Sequence, residues 1–223
     1  MDTKVKGIVV KLIDYKDADK LASIFSFDVG NITAKFTGVK KDKAKFKAVA
    51  QPFVFAEFLV NENGKNKTVI SADVIDSFNG ILLNYSKTIC GYVVLDIIKS
   101  LLVEEKPEND IFLLTLSSLK NIEQNNEYVA LIDYILKFIS FNGLGLIFLD
   151  EDYVYLDNLT GNFTKTRTNN SIQIDKKVYQ NLKAINNGEI VENNPIILKQ
   201  CLRFLHNVIY LKFGEDIKSF QFI

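Results

Sequence analysis

Tryptophan is absent from this sequence, histidine occurs once and cysteine twice. A single histidine, His206, excludes any metal site built on several imidazoles, and one imidazole on a helix reads first as a surface or cap residue. The cysteines, Cys90 and Cys201, stand far apart and form no C-x-x-C pair. They read as two buried thiols of a reducing compartment rather than as a disulfide. No apolar run reaches the roughly eighteen residues of a membrane span. The opening "MDTKVKGIVVKLIDY" lacks the features of a secretory leader, so a cytoplasmic protein is expected. Catalytic signatures are missing as well: there is no Walker A loop, no G-x-G-x-x-G and no G-x-S-x-G. A binding protein without a cofactor is therefore expected, not an enzyme. Net charge is also lacking, with 27 basic residues against 27 acidic ones. Overall charge gives the chain no reason to seek a polyanion.

What is present is aromatic and unevenly charged. Hydrophobic residues make up 48%, with 17 Phe and nine Tyr, which is ample material for a core. Residues 1–79 hold 13 Lys against ten Asp and Glu, and the rest of the chain carries the balancing acidic excess. The surplus gathers between Lys35 and Lys47, in and around "GVKKDKAKFKAVAQPF" (38–53). Two readings compete for it. It is a solvated loop, or Lys35, Lys40, Lys41, Lys43, Lys45 and Lys47 form a surface that meets phosphates. Phe46, between two of these lysines, either stacks on a base or anchors the segment in the core. No arginine occurs among residues 1–79, so bidentate reading of bases is not expected. Asp14, Asp17 and Asp19 lie close together and read as a solvated turn rather than a cation site.

Periodicity divides the chain in two. Short β-branched or alternating runs at 5–13, 19–27, 31–39, 52–60 and 67–75 predict five antiparallel strands, with turns at Gly30 and Asn63-Gly64. Five such strands suit an OB-fold barrel, and an SH3-like barrel fits the same count. Beyond residue 80 the spacing becomes helical. One stripe runs from Cys90 to Leu102, a second helix covers 111–122, and Tyr128 to Ile139 make a third stripe. Pro107 separates the first two. Residues 144–172 read as an irregular hairpin, followed by a short helix at 175–185. Asn194 and Pro195 then start a last helix, with Ile197, Cys201, Phe204, Leu205, Val208 and Leu211 expected on its buried face. Lys199, Arg203, His206 and Tyr210 fall on another face of that helix. The expected fold class is α+β: a barrel over 1–79 and a helical domain over 80–223.

The order of these parts resembles the RecO family of bacterial recombination mediators. The likeness is carried by Tyr15 to Lys20, Phe25 to Ile32 and Gly38 to Lys41, then by "QPF" at 51–53 and the closing "KSFQFI" at 218–223. The resemblance implies an OB-fold that binds single- and double-stranded DNA and anneals complementary strands. It implies RecR as a partner, help in loading RecA onto DNA coated by single-stranded DNA-binding protein (SSB), and a nucleoid-associated location. It also implies a helical-domain site for the acidic, Phe-ended tail of SSB, for which Lys199, Arg203, His206 and Tyr210 are the candidates. In this light the lysines read as a DNA surface. The other reading is an interaction scaffold whose lysines meet an acidic protein. Many members of the family carry four zinc ligands, mostly cysteines, after the third helix. Residues 141–175 contain no Cys and no His, so such a site is impossible there, and the hairpin must be held by Phe148, Tyr153, Tyr155, Leu156 and Phe163.

Overall fold

Small and β-branched residues at alternate positions let the first part of the chain close on itself. In the computed structural model, which describes residues 2–41, 43–64, 66–103, 105–151 and 154–223, five strands form a closed barrel. They are β1 (Asp2–Tyr15), β2 (Asp19–Ser26), β3 (Gly30–Phe36), β4 (Phe55–Asn63) and β5 (Asn66–Asp76). The order around the barrel is β1-β2-β3-β5-β4, which is the OB-like arrangement.

β1 is longer than its apolar run because it serves two partners. Its first half pairs with β4 and its second half with β2, with an irregularity in register between Val9 and Lys11. Gly7 sits where this strand meets β2 most closely. A Cβ there would lie 2.5 Å from Ile24 Cγ2 and 2.9 Å from the Phe25 carbonyl oxygen. The barrel interior holds Val5, Val9, Ala22, Ile24, Ala34, Phe36, Ala56, Phe58 and Val60. The third strand ends at Phe36, earlier than the alternation suggests. Gly38, at φ +67°, turns the chain, and its N–H donates to Asp19 Oδ1 at 2.8 Å. Residues 39–41 and 43–54 are mostly turns rather than strand.

By packing, the chain divides into two units, Met1–Leu82 with Leu95–Leu113, and Leu83–Val94 with Leu114–Ile223. The helices are α1 (Asn79–Leu82), α2 (Tyr85–Leu101), α3 (Asn109–Gln124), α4 (Glu127–Phe141), α5 (Lys176–Asn186) and α6 (Pro195–Phe213). In the first unit, Phe112 at the start of α3 meets Phe25, Phe27 and Phe55 with ring centroids 5.4 to 6.0 Å apart. In the second unit, α6 packs on α4 and α5. Side-chain caps start these helices where the sequence places them. Asn126, Asp175 and Asn194 each accept two backbone N–H bonds, and Pro195 occupies the first turn of α6.

Two expectations in this unit change. The segment after α4 is a three-stranded sheet, not a hairpin alone: β6 (Tyr155–Asp157) pairs with β7 (Asn162–Thr164) and also with β8 (Ser171–Gln173). Tyr153 lies outside the described residues. The buried face of α6 is Leu198, Cys201, Leu202, Leu205, Val208 and Ile209. Ile197, Phe204 and Leu211 are only half-buried. Phe204 is drawn instead to the small sheet, where its ring stacks on Phe163 at 6.0 Å.

Candidate nucleic-acid interface

The lysine segment is a strap with two sides. Val39, Phe46, Val49, Ala50, Phe53 and Val54 are buried beneath it. Short backbone bonds keep it in turns: Ala44 N–H to the Lys41 carbonyl, Val49 and Ala50 N–H to that of Phe46. With the apolar side chains committed inward, Lys40, Lys41, Lys43, Lys45 and Lys47 are left exposed. Lys35, on the outside of β3, is half-buried. The strap is fixed to the β1–β2 turn by the Lys40 N–H bond to the Ala18 carbonyl at 3.0 Å.

The lysines are not equivalent. Lys40 forms an ion pair with Asp14 at 2.9 Å. Lys45 donates to the Ile70 carbonyl at 3.0 Å and lies 5.2 Å from the centre of the Phe46 ring. Among the described residues no carboxylate pairs with Lys35, Lys41, Lys43 or Lys47. Phe46 is not available to a base. It is 8% exposed and meets Phe36 edge-on at 5.5 Å, so it is the anchor of the strap. The pull of β3 on this ring is a tertiary effect that the flanking lysines do not reveal. Asp14 and Asp19 are held by Lys40 and the Gly38 N–H, in keeping with a structured turn rather than a cation site.

The four residues singled out on α6 have separate roles. Arg203 and Tyr210 are exposed. The Lys199 ammonium lies 5.5 Å over the Tyr128 ring, beside a pocket of about 30 Å³ lined by Tyr85, Ile89, Tyr128, Phe222 and Ile223. His206 is taken up by the chain's own end. Its Nε2 lies 2.9 Å from Asp216 Oδ1, and its ring stacks on Phe220 at 4.5 Å. Sequence reasoning did not find these partners. Nor did it find the exposed run Lys11, Ile13 and Tyr15 on β1, although the alternation in "KLIDY" was the signal for it.

The thiols cannot substitute for a zinc-binding quartet. Cys90 and Cys201 are both buried and unbridged. Burial pushes the Cys201 thiol up to about 12 and Cys90 higher still, which disfavours the thiolate a metal needs. Among the described residues no group of three or more His, Cys, Asp or Glu side chains converges. The donor set does not fit a structural zinc.

Two family descriptions match the chain. "Recombination protein O N terminal" matches residues 1–78, and "Recombination protein O C terminal" matches residues 82–219. Curated relatives named "DNA repair protein RecO" are similar in sequence. The one from Clostridium novyi is 30% identical over 148 residues, 65% of this chain and 57% of the relative. That from Caldicellulosiruptor saccharolyticus is 31% identical over 116 residues, 52% of this chain and 48% of the relative. In these matches the chain spans about half the length of its relatives. A third, from Clostridium perfringens, is 25% identical over 237 aligned positions, 97% of this chain and 96% of the relative.

Proposed function

This chain belongs to the RecO family of DNA repair and recombination proteins, and we propose on that footing that it is a non-enzymatic recombination mediator. In this reading it binds single- and double-stranded DNA without regard to sequence and anneals complementary strands. With RecR it helps load RecA onto DNA covered by SSB. Residues 1–79 form the DNA-binding part and residues 80–223 the helical part that meets protein partners. The acidic tail of SSB meets α6 through Lys199, Arg203 and Tyr210, with His206 holding the C-terminal segment beside them. The setting is the bacterial cytoplasm and nucleoid.

The observation that carries the DNA reading is the strap. Lys41, Lys43 and Lys47 are exposed and have no acidic partner among the described residues, on a barrel of OB-like order. Lysine offers a mobile point charge suited to phosphates of any sequence, and no arginine is present on the barrel strands to read bases. The test is a titration of random single-stranded and duplex oligonucleotides at several salt concentrations. Each lost phosphate contact removes about 0.7 from the slope of log K against log salt on single strands. The K41E/K43E/K47E variant is expected to bind every sequence more weakly, with a slope shallower by about 2. A folded variant that binds as tightly as the wild type overturns the assignment. Absence of DNA binding by the wild type would instead make the strap a contact for an acidic protein.

A further inference from the structure

We propose that the cleft between the α3–α4 turn and the α5–α6 connection is a docking site for a basic peptide segment of a partner protein, one that carries an aliphatic side chain between lysines or arginines. The site lies within the second unit and does not depend on the DNA-binding reading above.

The chain builds the cleft from two helix ends. Asn126, the cap of α4, accepts the Tyr128 and Val129 N–H groups at 3.1 and 3.0 Å, and its Nδ2 donates to Asn193 Oδ1 at 2.5 Å. One side chain thus ties the start of α4 to the connection that leads into α6. On the other side α5 ends at Gly188, whose φ of +74° turns the chain, and the Glu189 N–H closes the helix on the Ala184 carbonyl at 2.9 Å. Between these ends lies a cavity of about 530 Å³. Clefts that hold ligands span about 300 to 1,000 Å³. The floor is apolar: Ile185 and Ala130 are buried and Val129 is half-buried. Ile190 and Val191 form one wall, and the Ile190 side chain stands fully exposed, so the core makes no use of it. The backbone N–H and C=O groups of Ile190 and Val191 make no hydrogen bond among the described residues.

Charge decides which occupant fits. Residues 121–133 and 184–198 contain five acidic side chains and no Lys, Arg or His. Three of the five have local roles. Glu123 pairs with Lys120 and Asp133 with Lys137, and Glu127 sits in the first turn of α4, where a carboxylate is favoured. Glu189 takes a bond from the Asn187 amide at 3.1 Å, and Glu192 is exposed beside Val191. Neither has a basic partner among the described residues. Such a rim repels phosphates and anionic lipids. It also repels an acidic tail of the kind assigned to α6, so the two sites take partners of opposite sign. A cationic side chain gains an ion pair with Glu189 or Glu192, an aliphatic neighbour fills the floor, and the peptide main chain reaches the free groups of Ile190 and Val191.

The experiment titrates the full chain against a short fluorescein-labelled peptide of alternating lysine and leucine, and against a twin with glutamate in place of lysine, read by anisotropy. The lysine peptide should bind, and more weakly as salt rises. E189K/E192K should weaken it by about tenfold and should bind the glutamate twin more tightly than the wild type does. Ile190→Ser, a change at a side chain already in water, should cost on the order of fivefold. In the wild type the lysine peptide should slow amide exchange over residues 189–193, a readout that needs no variant to fold. Unchanged affinity in E189K/E192K, protection confined to other segments, or a wild type that does not bind the lysine peptide would each overturn the site. Self-association of the wild type that E189K/E192K abolishes would make the cleft an interface between copies of this chain, and overturns it too. Oligonucleotide titration tests the strap separately, and neither result decides the other.

Discussion

Phe46 shows how one side chain decides what its neighbours do. Lysines flank it on both sides, yet its ring lies in the barrel against Phe36, and the exposed position of Lys43, Lys45 and Lys47 follows from that burial. Replacing a buried phenylalanine with alanine removes its transfer energy and leaves a cavity, about 3 to 5 kcal/mol in well-packed cores. Phe46 is 8% exposed and lies under a strap, not between two regular elements. The expected loss for Phe46→Ala is therefore near the lower end, about 3 kcal/mol by urea unfolding. A loss within about 0.5 kcal/mol of zero, the range of surface substitutions, would show that the ring is not an anchor. Sequence could pose this question but not answer it. Alternation in an irregular segment carries no fixed face, and the ring that captures Phe46 belongs to another strand. The cysteines were the opposite case. Each lies in a helical apolar stripe, so their burial was legible from spacing alone.

At the scale of elements, starts were legible and faces less so. Asn194 followed by Pro195 fixes the beginning of α6 by local chemistry, which the sequence contains in full. The buried face of the same helix depends on α4, α5 and the small sheet: Cys201, Leu205 and Val208 are buried as the spacing suggests, while Leu198, Leu202 and Ile209 take the places expected for Ile197, Phe204 and Leu211. The stretch between α2 and α3 is another element that periodicity leaves blank. Pro107 marks it as a break, but the structure makes it part of the barrel unit. The Glu105 N–H donates to the Asn31 carbonyl at 3.1 Å, and the Glu105 carboxylate pairs with Lys67, which also reaches Glu62. Gly30 is required beneath it, since a Cβ there would lie 2.3 Å from the Lys106 carbonyl oxygen. The hydrogen bond and charge of Lys67 hold the Glu105 carboxyl below its ordinary value of 4.5. A lowered carboxyl contributes stability that is complete above 4.5 and lost as pH falls through the lowered value. The difference in stability between wild type and Glu105→Gln should therefore be small but positive at neutral pH, and should vanish in acid. Glu105 faces water and Lys67 is half-buried, and pairs with one partner so exposed contribute little. A gap that persists unchanged well below pH 4 would assign it to something other than this ion pair.

For the whole molecule, the resemblance, the barrel and the helical tail agree, and the family descriptions cover both parts. The small sheet after α4 lies in a stretch, 141–175, without Cys or His, and aromatic rings pack against it. Phe148, Phe163 and Tyr179 form a triangle with ring centroids 5.1 to 5.7 Å apart, and Phe204 stacks on Phe163 from α6. The Tyr179 hydroxyl donates to the Leu149 carbonyl at 2.7 Å, which ties the incoming chain to α5. Phe148, Leu156 and Phe163 were visible in the sequence as candidates for this role. Tyr179 and Phe204 were not, because they come from helices that reach the sheet only in three dimensions. Three strands of three residues each cannot hold themselves in water, so these rings are expected to hold the sheet. Protein purified without a metal-binding tag should melt at the same temperature with and without a strong chelator. Phe163→Ala should instead lower the melting temperature and expose the 154–173 region to protease. The two measurements separate the causes: a chelator cannot act on a ring, and Phe163→Ala deletes no metal ligand. Near-stoichiometric zinc together with a chelator-induced drop in melting temperature would show that a metal does the holding after all.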